Sequence, residues 1–291
     1  MKKILITFVI LVFSLQTFAQ VEDRFQSLLE TDLEKFAQPL ATSIGVGFNS
    51  GNYHDAYVPK IFGFSIGIRG MLMLVPDEQL TFTPEGLPEF YSSDEETATI
   101  FGGKGTAYAG PLGYMTYPAG INKNYFPLAT PQVSVSAFGT ELMVRFLPEI
   151  QVGDENLKLF GFGIKHNISQ YIPLIPIDIA IQYTNNTFSV TNIVEVKSSA
   201  FNIHASKSFA VVTVYGGLQY ETSTLNLEYT YKDEKGTSPD LDGKQFTLNF
   251  EGDNSIRATV GAALNLAFLT LNADFSLGAQ NAASVGLSFG M

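Results

Sequence analysis

Beyond residue 40 the chain alternates between apolar and polar or small residues, which is the pattern of β-strands with two different faces. Between Phe62 and Leu72 the apolar side chains are separated by glycine, serine and Arg69, and between Ile177 and Tyr183 by Asp178, Ala180 and Gln182. The last run, 283–291, has the same period. Several runs reach about ten residues, whereas strands of soluble proteins average about five or six. The pattern therefore predicts long strands over most of the chain.

The polar faces of these runs carry small residues and isolated charges. A soluble β-sandwich covers its outer face with charged residues, and only 15% of this chain is charged. An outer-membrane barrel turns its apolar face to lipid and its polar face to the lumen. We therefore predict an all-β, transmembrane antiparallel β-barrel of about 12–14 strands, with ten also compatible with the pattern. A secreted β-sandwich or a periplasmic lipocalin-like barrel is the alternative, because period two alone does not separate them.

The N-terminus has the order of regions found in secretory signal peptides. A basic start, Met1-Lys2-Lys3, precedes the apolar run 4–13 and a small, polar exit that ends at Ala19. The apolar run is shorter than the ~20 residues of a spanning helix, which argues against an uncleaved anchor. The predicted divisions are a signal peptide at 1–19, a helix at 20–40 and a barrel at 41–291. The expected location is the outer membrane of a Gram-negative bacterium.

One helix is predicted, from Val21 to Gln38, with Pro39 ending it. Its apolar face holds Phe25, Leu28, Leu29 and Phe36. The charges beside that face are mostly acidic, which opposes binding to an anionic membrane surface. The helix is therefore expected to plug or cap the barrel, and a plug implies gated passage or no passage.

Composition excludes several kinds of chemistry. The chain has no cysteine, and its net charge of −11 is opposite to the cationic footprint of a nucleic-acid binder. Its three histidines, His54, His166 and His204, lack metal-ligand spacing. His204 and Ser206 share one face of a predicted strand, but no third catalytic group is indicated. We expect no enzymatic activity, no cofactor and no metal.

The charged residues of the strands fall on the non-lipid face and are the predicted lumen lining. They either pair with one another inside the barrel or form a selectivity lining. These residues are Arg69, Glu141, Arg145, Lys165, Asp178, Arg257 and Asp274.

Two loops and one irregular strand stand out. The proline-rich stretch 76–131 is predicted to be extracellular, whereas the pattern does not place the loop at 232–244 on either side. In the run 190–206 the apolar positions change face near Ser198 and Ser199, which predicts a β-bulge. Aromatic residues of the first stretch form a candidate surface for an apolar ligand. They are Tyr108, Tyr114, Tyr117, Tyr125 and Phe126.

Several segments together resemble an uncharacterised family of Gram-negative outer-membrane β-barrel proteins, a domain-of-unknown-function family. The segments are 48–56, 60–66, 140–148, 161–171, 205–209 and 215–218, the first reading FNSGNYHDA and the third TELMVRFLP. That family is in turn distantly similar to the long-chain fatty-acid outer-membrane transporters. The second resemblance implies a 14-stranded barrel with an N-terminal hatch, although this chain is shorter than those transporters and matches no ligand-site motif.

Three functions are compatible with the sequence. The first is a monomeric barrel, surrounded by outer-membrane lipid, that passes or binds small hydrophobic molecules such as fatty acids. The second is a barrel without transport that serves as a surface adhesin, scaffold or assembly component. A hydrolase is the third and least supported reading, and the substrate does not follow from the sequence.

Overall fold

The computed structural model describes residues 30–85, 87, 91, 95–111, 113–152, 155–191, 194–230 and 245–291. The predicted signal peptide, the loop at 232–244 and Phe25, Leu28 and Leu29 of the predicted helix face lie outside the described residues. The described chain contains an α-helix, α1 (Glu30–Phe48), and fifteen strands. These are β1 (Gly63–Leu74), β2 (Thr81–Phe82), β3 (Thr97–Ala98), β4 (Ala107–Gly110), β5 (Gly113–Thr116), β6 (Tyr125–Ala137), β7 (Thr140–Val152), β8 (Glu155–Asn167), β9 (Asp178–Val190), β10 (Val194–Phe209), β11 (Val212–Thr230), β12 (Gln245–Glu251), β13 (Ile256–Leu266), β14 (Leu269–Leu277) and β15 (Asn281–Gly290).

Ten of the described strands close into an antiparallel barrel. The ring runs β1, β6, β7, β8, β9, β10, β11, β13, β14 and β15, and β15 pairs with β1. Strand β12 pairs with residues 224–230 of β11, and β13 pairs with residues 212–220 on the same side of that strand. Strand β12 therefore adds no position to the ring. The predicted barrel is confirmed. The estimate of 12–14 strands was too high. Strands β10 and β11 are 16 and 19 residues long, so fewer strands account for the same length of chain.

The two ends of the barrel differ. At one end, here called the turn end, pairs of strands are joined by the two-residue turns 138–139, 210–211 and 267–268, and the last strand finishes there. At the other end, the loop end, β1 leads into residues 75–124, and β11 ends where β12 begins. Both long connections of the sequence therefore open at the same end, which the alternation pattern alone did not decide.

The outer face of the barrel is apolar and the inner face is polar. Phe64, Phe162, Leu271 and Val285 are 44%, 44%, 41% and 60% exposed, so they do not meet in a dry core. The inward positions of the same strands are serine, asparagine, arginine or lysine and are buried. This is the arrangement of a transmembrane β-barrel.

Towards the loop end, on strands β8 to β12, this polarity is reversed. The outward row on β11 changes from Leu218 and Tyr220 to Thr222, Asn226 and Glu228. At the same height the inward positions become apolar and pack in one core cluster. This part of the cluster holds Leu157, Leu159, Phe188, Val190, Val194, Val196, Leu225, Leu227, Leu248 and Phe250. The loop-end part of strands β8 to β12 therefore has the polarity of a soluble protein, with apolar side chains inside and polar side chains outside.

The reversal accounts for the change of face near Ser198 and Ser199, and the predicted bulge was wrong. Strand β10 pairs with both neighbours without any shift of register. The residue type on the inward face changes from Asn202 and His204 to Val196, while the direction of the side chains stays the same. The register does shift in β7, between Leu147 and Ile150.

Helix α1 enters the lumen from the loop end, and Pro39 lies inside it. The prediction that the helix ends at Gln38, and the 20–40 division drawn from it, were therefore wrong. Proline lacks the amide hydrogen of a helical bond, but contacts with the barrel hold the helix on both sides of it. Leu40 and Ile44 pack in the core cluster, and the Gln280 side-chain amide donates to the Pro39 carbonyl oxygen. Among the described helices, none is long and apolar enough to cross a membrane.

Candidate functional site

The lumen is filled along its length by the chain's own N-terminal part, here called the plug, residues 32–60. Near the loop end the Phe36 carbonyl accepts from Ile100 N, 3.0 Å away. At the turn end the carbonyls of Pro59 and Lys60 accept from Gly139 N and Phe138 N, at 3.1 Å and 2.9 Å. Strand β1 begins just after this point. The plug is therefore tied to segment 75–124 at the loop end and to the barrel at the turn end.

Arg145, on β7, makes the densest set of bonds to the plug. Its guanidinium donates to the carbonyl oxygens of Phe48, Ser50 and Gly51 at 2.7, 3.0 and 2.9 Å, and to Gln132 Oε1 at 3.2 Å. The side chain is fully buried. Charge-assisted bonds of this kind are stronger than neutral ones. Arg145 therefore fixes the point where α1 ends and the extended part of the plug begins.

Two more arginines hold the plug from other sides of the ring. Arg257 Nη2 pairs with Glu221 at 2.6 Å, while its Nη1 donates to the Val46 carbonyl and to the Ser50 hydroxyl. Arg69 donates to Asn272 at 2.6 Å and contacts His54 Nδ1 at 3.2 Å. Because the three arginines come from β7, β13 and β1, hydrogen bonds from three separate strands hold the plug.

Lys165 forms the last charged contact before the turn end. Its ammonium lies 3.5 Å from Asp55, in the plug, and 3.4 Å from Glu141, on β7. One buried cation thus joins two carboxylates, one from the plug and one from the wall. Below it the lumen opens as a vestibule of about 520 Å³. Its lining includes five serines and two threonines, with His54, Asp55, Glu141 and Asp178.

All seven predicted lumen residues lie on the inner side of the barrel. Five of them bond to the plug or to its partners, as described above for Arg69, Arg145, Lys165, Arg257 and Glu141. Asp178 accepts from the Asn167 side chain at 3.2 Å, and Asp274 accepts from the Tyr215 hydroxyl at 2.9 Å. The described charges are thus paired with one another, with polar side chains or with the plug inside a filled lumen.

Several residues that bind the plug escaped the sequence analysis. Glu221 is the buried partner of Arg257, and Gln219 donates to the Asn49 carbonyl at 2.9 Å. Asn186 donates to the Phe48 carbonyl at 3.2 Å. They share one feature of the sequence pattern, since all three occupy inward-facing positions of β9 or β11. Amide side chains such as those of Gln219 and Asn186 are not specific to a lumen, because they are also common on exposed strands and in loops.

His204 and Ser206 do not form a catalytic pair. His204 Nδ1 contacts Asn202 Oδ1 at 2.7 Å, its Nε2 contacts the Asp55 carbonyl at 3.1 Å, and its ring stacks on Tyr53 with centroids 3.9 Å apart. Ser206 instead accepts from Ala56 N at 2.9 Å. Both residues serve to hold the plug. Among the described residues no group of three histidines or carboxylates is placed to hold a metal ion.

The five aromatic loop residues do not form one ligand surface. Tyr108, Tyr117 and Phe126 are buried, the first two packing edge to face with ring centroids 5.5 Å apart. Tyr114 and Tyr125 are exposed, at 77% and 42%. Tyr108 and Tyr117 pack inside the described part of segment 75–124, here called the cap, which covers the loop end. Phe126, on β6, packs against Phe101 of the cap, with ring centroids 6.2 Å apart. The expected capture surface was therefore wrong, because rings that pack a small fold are not available to a ligand.

The cap is fastened to the plug through Asp32, which is buried on α1. Asp32 accepts from Glu85 N at 2.8 Å and from the Tyr117 hydroxyl. Burial and this hydrogen bond raise the pKa of Tyr117, so the phenol stays protonated and keeps donating to the carboxylate. Lys35 adds an ion pair of 2.7 Å to Glu85.

Replacing Tyr117 by phenylalanine is expected to loosen the cap while leaving the barrel folded. The change removes a hydrogen bond to the buried Asp32 carboxylate, and a bond to a charged group contributes about 1.5–3 kcal/mol. Limited proteolysis of the protein in detergent should then cut within 75–124 faster than in the wild type. Tyr114→Phe is the matched control, since Tyr114 is exposed. Equal cleavage rates in the two variants would contradict the role of the Tyr117–Asp32 bond.

Comparisons with known proteins give a family match and several weak structural similarities. The model of a family of unknown function, DUF6588, matches residues 1–291. Structural similarity is found to a loop-deletion mutant of OmpT, an outer membrane protein of Vibrio cholerae, with 14% identity, a TM-score of 0.27 and coverage of 79% of this chain and 76% of that one. Ail, the attachment invasion locus protein of Yersinia pestis, has 8% identity, a TM-score of 0.26 and coverage of 80% and 99%.

The toluene transporter TbuX of Ralstonia pickettii has 8% identity, a TM-score of 0.25 and coverage of 88% and 92%. Scores this low carry no argument about function, and the fold rests on the strand pairing described above. A comparison with curated protein sequences gives no match.

Proposed function

This chain belongs to the DUF6588 family of unknown function, and we propose that it is an outer-membrane barrel closed by its own plug, which holds the cap at the cell surface. The observation that supports this most directly is the path of residues 32–60 through the lumen. Three buried arginines from three strands bond to this segment or its partners. The proposed role is that of a surface scaffold or adhesin, and the proposal assigns no enzymatic activity.

The apolar belt is the outward apolar face of the barrel strands, which includes Phe64, Phe162 and Val285. It supports the membrane location, and the two ends of the barrel support the orientation. Outer-membrane barrels have short periplasmic turns and longer extracellular loops, so the turn end is assigned to the periplasm and the loop end to the outside. The proposed state is a monomer whose belt contacts lipid. In this orientation the cap, with Lys104 and Lys123 exposed, faces the medium.

Labelling of intact cells with an amine reagent that does not cross membranes tests the orientation. Lys104 and Lys123, in the cap, should be modified, whereas Lys60, exposed at the turn end, should react only after the outer membrane is broken. Peptide mass spectrometry reads out all three sites in one sample. Labelling of Lys60 but not of the cap lysines on intact cells would reverse the assignment.

A second candidate, passage of small hydrophobic molecules, has one feature in its favour. The loop-end half of the lumen is lined by apolar side chains that contact α1. The turn-end half is polar, however, and the plug occupies both halves. Passage through the barrel would therefore require the plug to move.

A cross-link between plug and wall separates the two candidates. Because the chain has no cysteine, Ala56→Cys with Ser206→Cys adds a single pair, at a place where Ala56 N and Ser206 Oγ are 2.9 Å apart. The closed-barrel proposal expects no conductance steps in planar bilayers and no fatty-acid uptake, in either redox state. Uptake by the wild type that stops on oxidation and returns on reduction would establish the second candidate and overturn the first.

A further inference from the structure

The turn end carries an apolar rim beyond the ends of the strands. The rim is defined here by six exposed residues: Ile61, Phe62, Phe138, Leu174, Phe209 and Phe268. Phe138 and Phe268, at the tips of two-residue turns, are 82% and 70% exposed. Such turns usually carry polar residues, so this set calls for a physical explanation.

Backbone conformation makes these residues more unusual. Phe138 and Gly139 have φ values of 53° and 71°, which gives the two-residue turn positive φ at both positions. Asparagine or aspartate before glycine is the preferred sequence for such a turn. A bulky residue with positive φ is uncommon and is found mainly in tight turns or at strained positions. Leu174 has the same feature, with φ of 62°.

The rim is continuous with the apolar belt. The rings of Phe62, in the rim, and Phe64, in the belt, have centroids 6.5 Å apart. The Phe268 carbonyl accepts from Gly290 N at 2.9 Å, next to the end of β15. On β13, β14, β15, β1 and β6 the outward side chains stay apolar up to the turn end. A surface that contacts lipid along the belt therefore extends onto the turns of these five strands. The outward polar residues near this end lie on β7, β8 and β10, and they are Thr140, His166 and Lys207.

Charge at this end has one sign on the outside. Among the described residues of the turn end, the outward charges are Lys60 and Lys207, while Asp55, Glu141 and Asp178 line the vestibule. Lys60 is joined to Phe138 through its carbonyl, and the Lys207 ammonium lies 5.7 Å from the Phe209 ring centroid. Aromatic rings beside lysines are typical of residues at the membrane–water interface. Their ammonium groups complement lipid phosphates.

We propose that the turn-end rim is a lipid-binding surface, with its aromatic tips among the acyl-chain ends nearest the headgroups and Lys60 and Lys207 on anionic lipid phosphates. This rests on the proposed membrane location. It goes beyond that location because periplasmic turns would otherwise stand in water. The vestibule then opens at the level of the headgroups.

Tryptophan fluorescence tests the rim directly, because the chain has no tryptophan of its own. Three single variants are reconstituted in vesicles of phosphatidylcholine and phosphatidylglycerol with brominated acyl chains: Phe138→Trp in the rim, Phe162→Trp in the belt and Tyr114→Trp in the cap. Heat-shifted gel migration selects folded protein in each case. Emission is then measured with bromine at different depths and with iodide in the water.

The expected result is blue-shifted emission from Phe138→Trp that is lost with bromine near the headgroups and is protected from iodide. Phe162→Trp should be quenched by bromine deeper in the chains, and Tyr114→Trp by iodide alone. Omitting phosphatidylglycerol, or adding Lys60→Glu and Lys207→Glu, should shift the emission of Phe138→Trp to the red and increase its quenching by iodide, towards the values of Tyr114→Trp.

The outcomes separate the two proposals. If Phe162→Trp is quenched by lipid but Phe138→Trp only by iodide, the rim stands in water and this inference is overturned, while the membrane location holds. If Phe162→Trp is not quenched by lipid, the membrane location itself fails. Protection of Phe138→Trp from both quenchers would indicate a second copy or another protein on the rim, and would also overturn lipid binding.

Discussion

Replacing Arg145 by alanine is expected to release the middle of the plug and to lower the free energy of unfolding by about 3 kcal/mol or more. The change removes the guanidinium bonds to the carbonyls of Phe48, Ser50 and Gly51. The Phe48 carbonyl keeps its bond from Asn186, whereas the buried carbonyls of Ser50 and Gly51 lose these donors at a cost of about 1–3 kcal/mol each. Urea unfolding in detergent, followed by the heat-shifted gel band, measures the change.

The same variant tests whether the lumen is closed by the plug. A loosened segment should give intermittent conductance steps in planar bilayers where the wild type gives none. Arg145→Lys keeps the charge but cannot reach all four acceptors, so an intermediate loss of stability is expected. Lys158→Ala, outward on the neighbouring strand, should change stability by no more than about 0.5 kcal/mol. An unchanged urea midpoint in Arg145→Ala would show that the plug is held by other contacts.

Placing an arginine at Leu218 is expected to destabilise the barrel in lipid by about 2 kcal/mol, because this outward position lies in the apolar belt. Leu218 is 61% exposed, and on β11 the outer face remains apolar up to Tyr220. The cost arises from moving a charged group into hydrocarbon, so it should be larger in thick bilayers than in detergent. Reversible unfolding from lipid vesicles gives the difference.

Asn226→Arg provides the matched control on the same strand and the same face. Asn226 lies above the point where the outer face turns polar, so this arginine stays in water and should cost about 0–1 kcal/mol. Equal losses at both positions would contradict the reversal of polarity as the membrane boundary. A larger loss at Asn226 would place the membrane at the opposite half of the strand.

Outside the loop-end part of β8 to β12, alternation along the chain was enough to predict which residues face out and which face in. Phe64, Phe162 and Val285 are exposed as the pattern requires, and Arg69 and Arg145 point into the lumen. This succeeded because successive side chains of a strand point to opposite faces wherever the strand lies in the ring. The contacts of these residues did not follow, since each joins segments far apart in sequence. Arg145, for example, bonds to residues 48–51.

The sequence by itself determined the strand faces and the apolar belt, because these depend on the direction of neighbouring side chains. Only the tertiary structure decided how many strands close the ring, and where the membrane-like polarity ends. It also decided that the helix continues past Pro39. Strand number depends on how much length each strand uses. Whether Pro39 ends the helix, and whether the five loop aromatics are buried or exposed, depends on the residues that pack against them. These contacts exist only after the ring has closed around the plug.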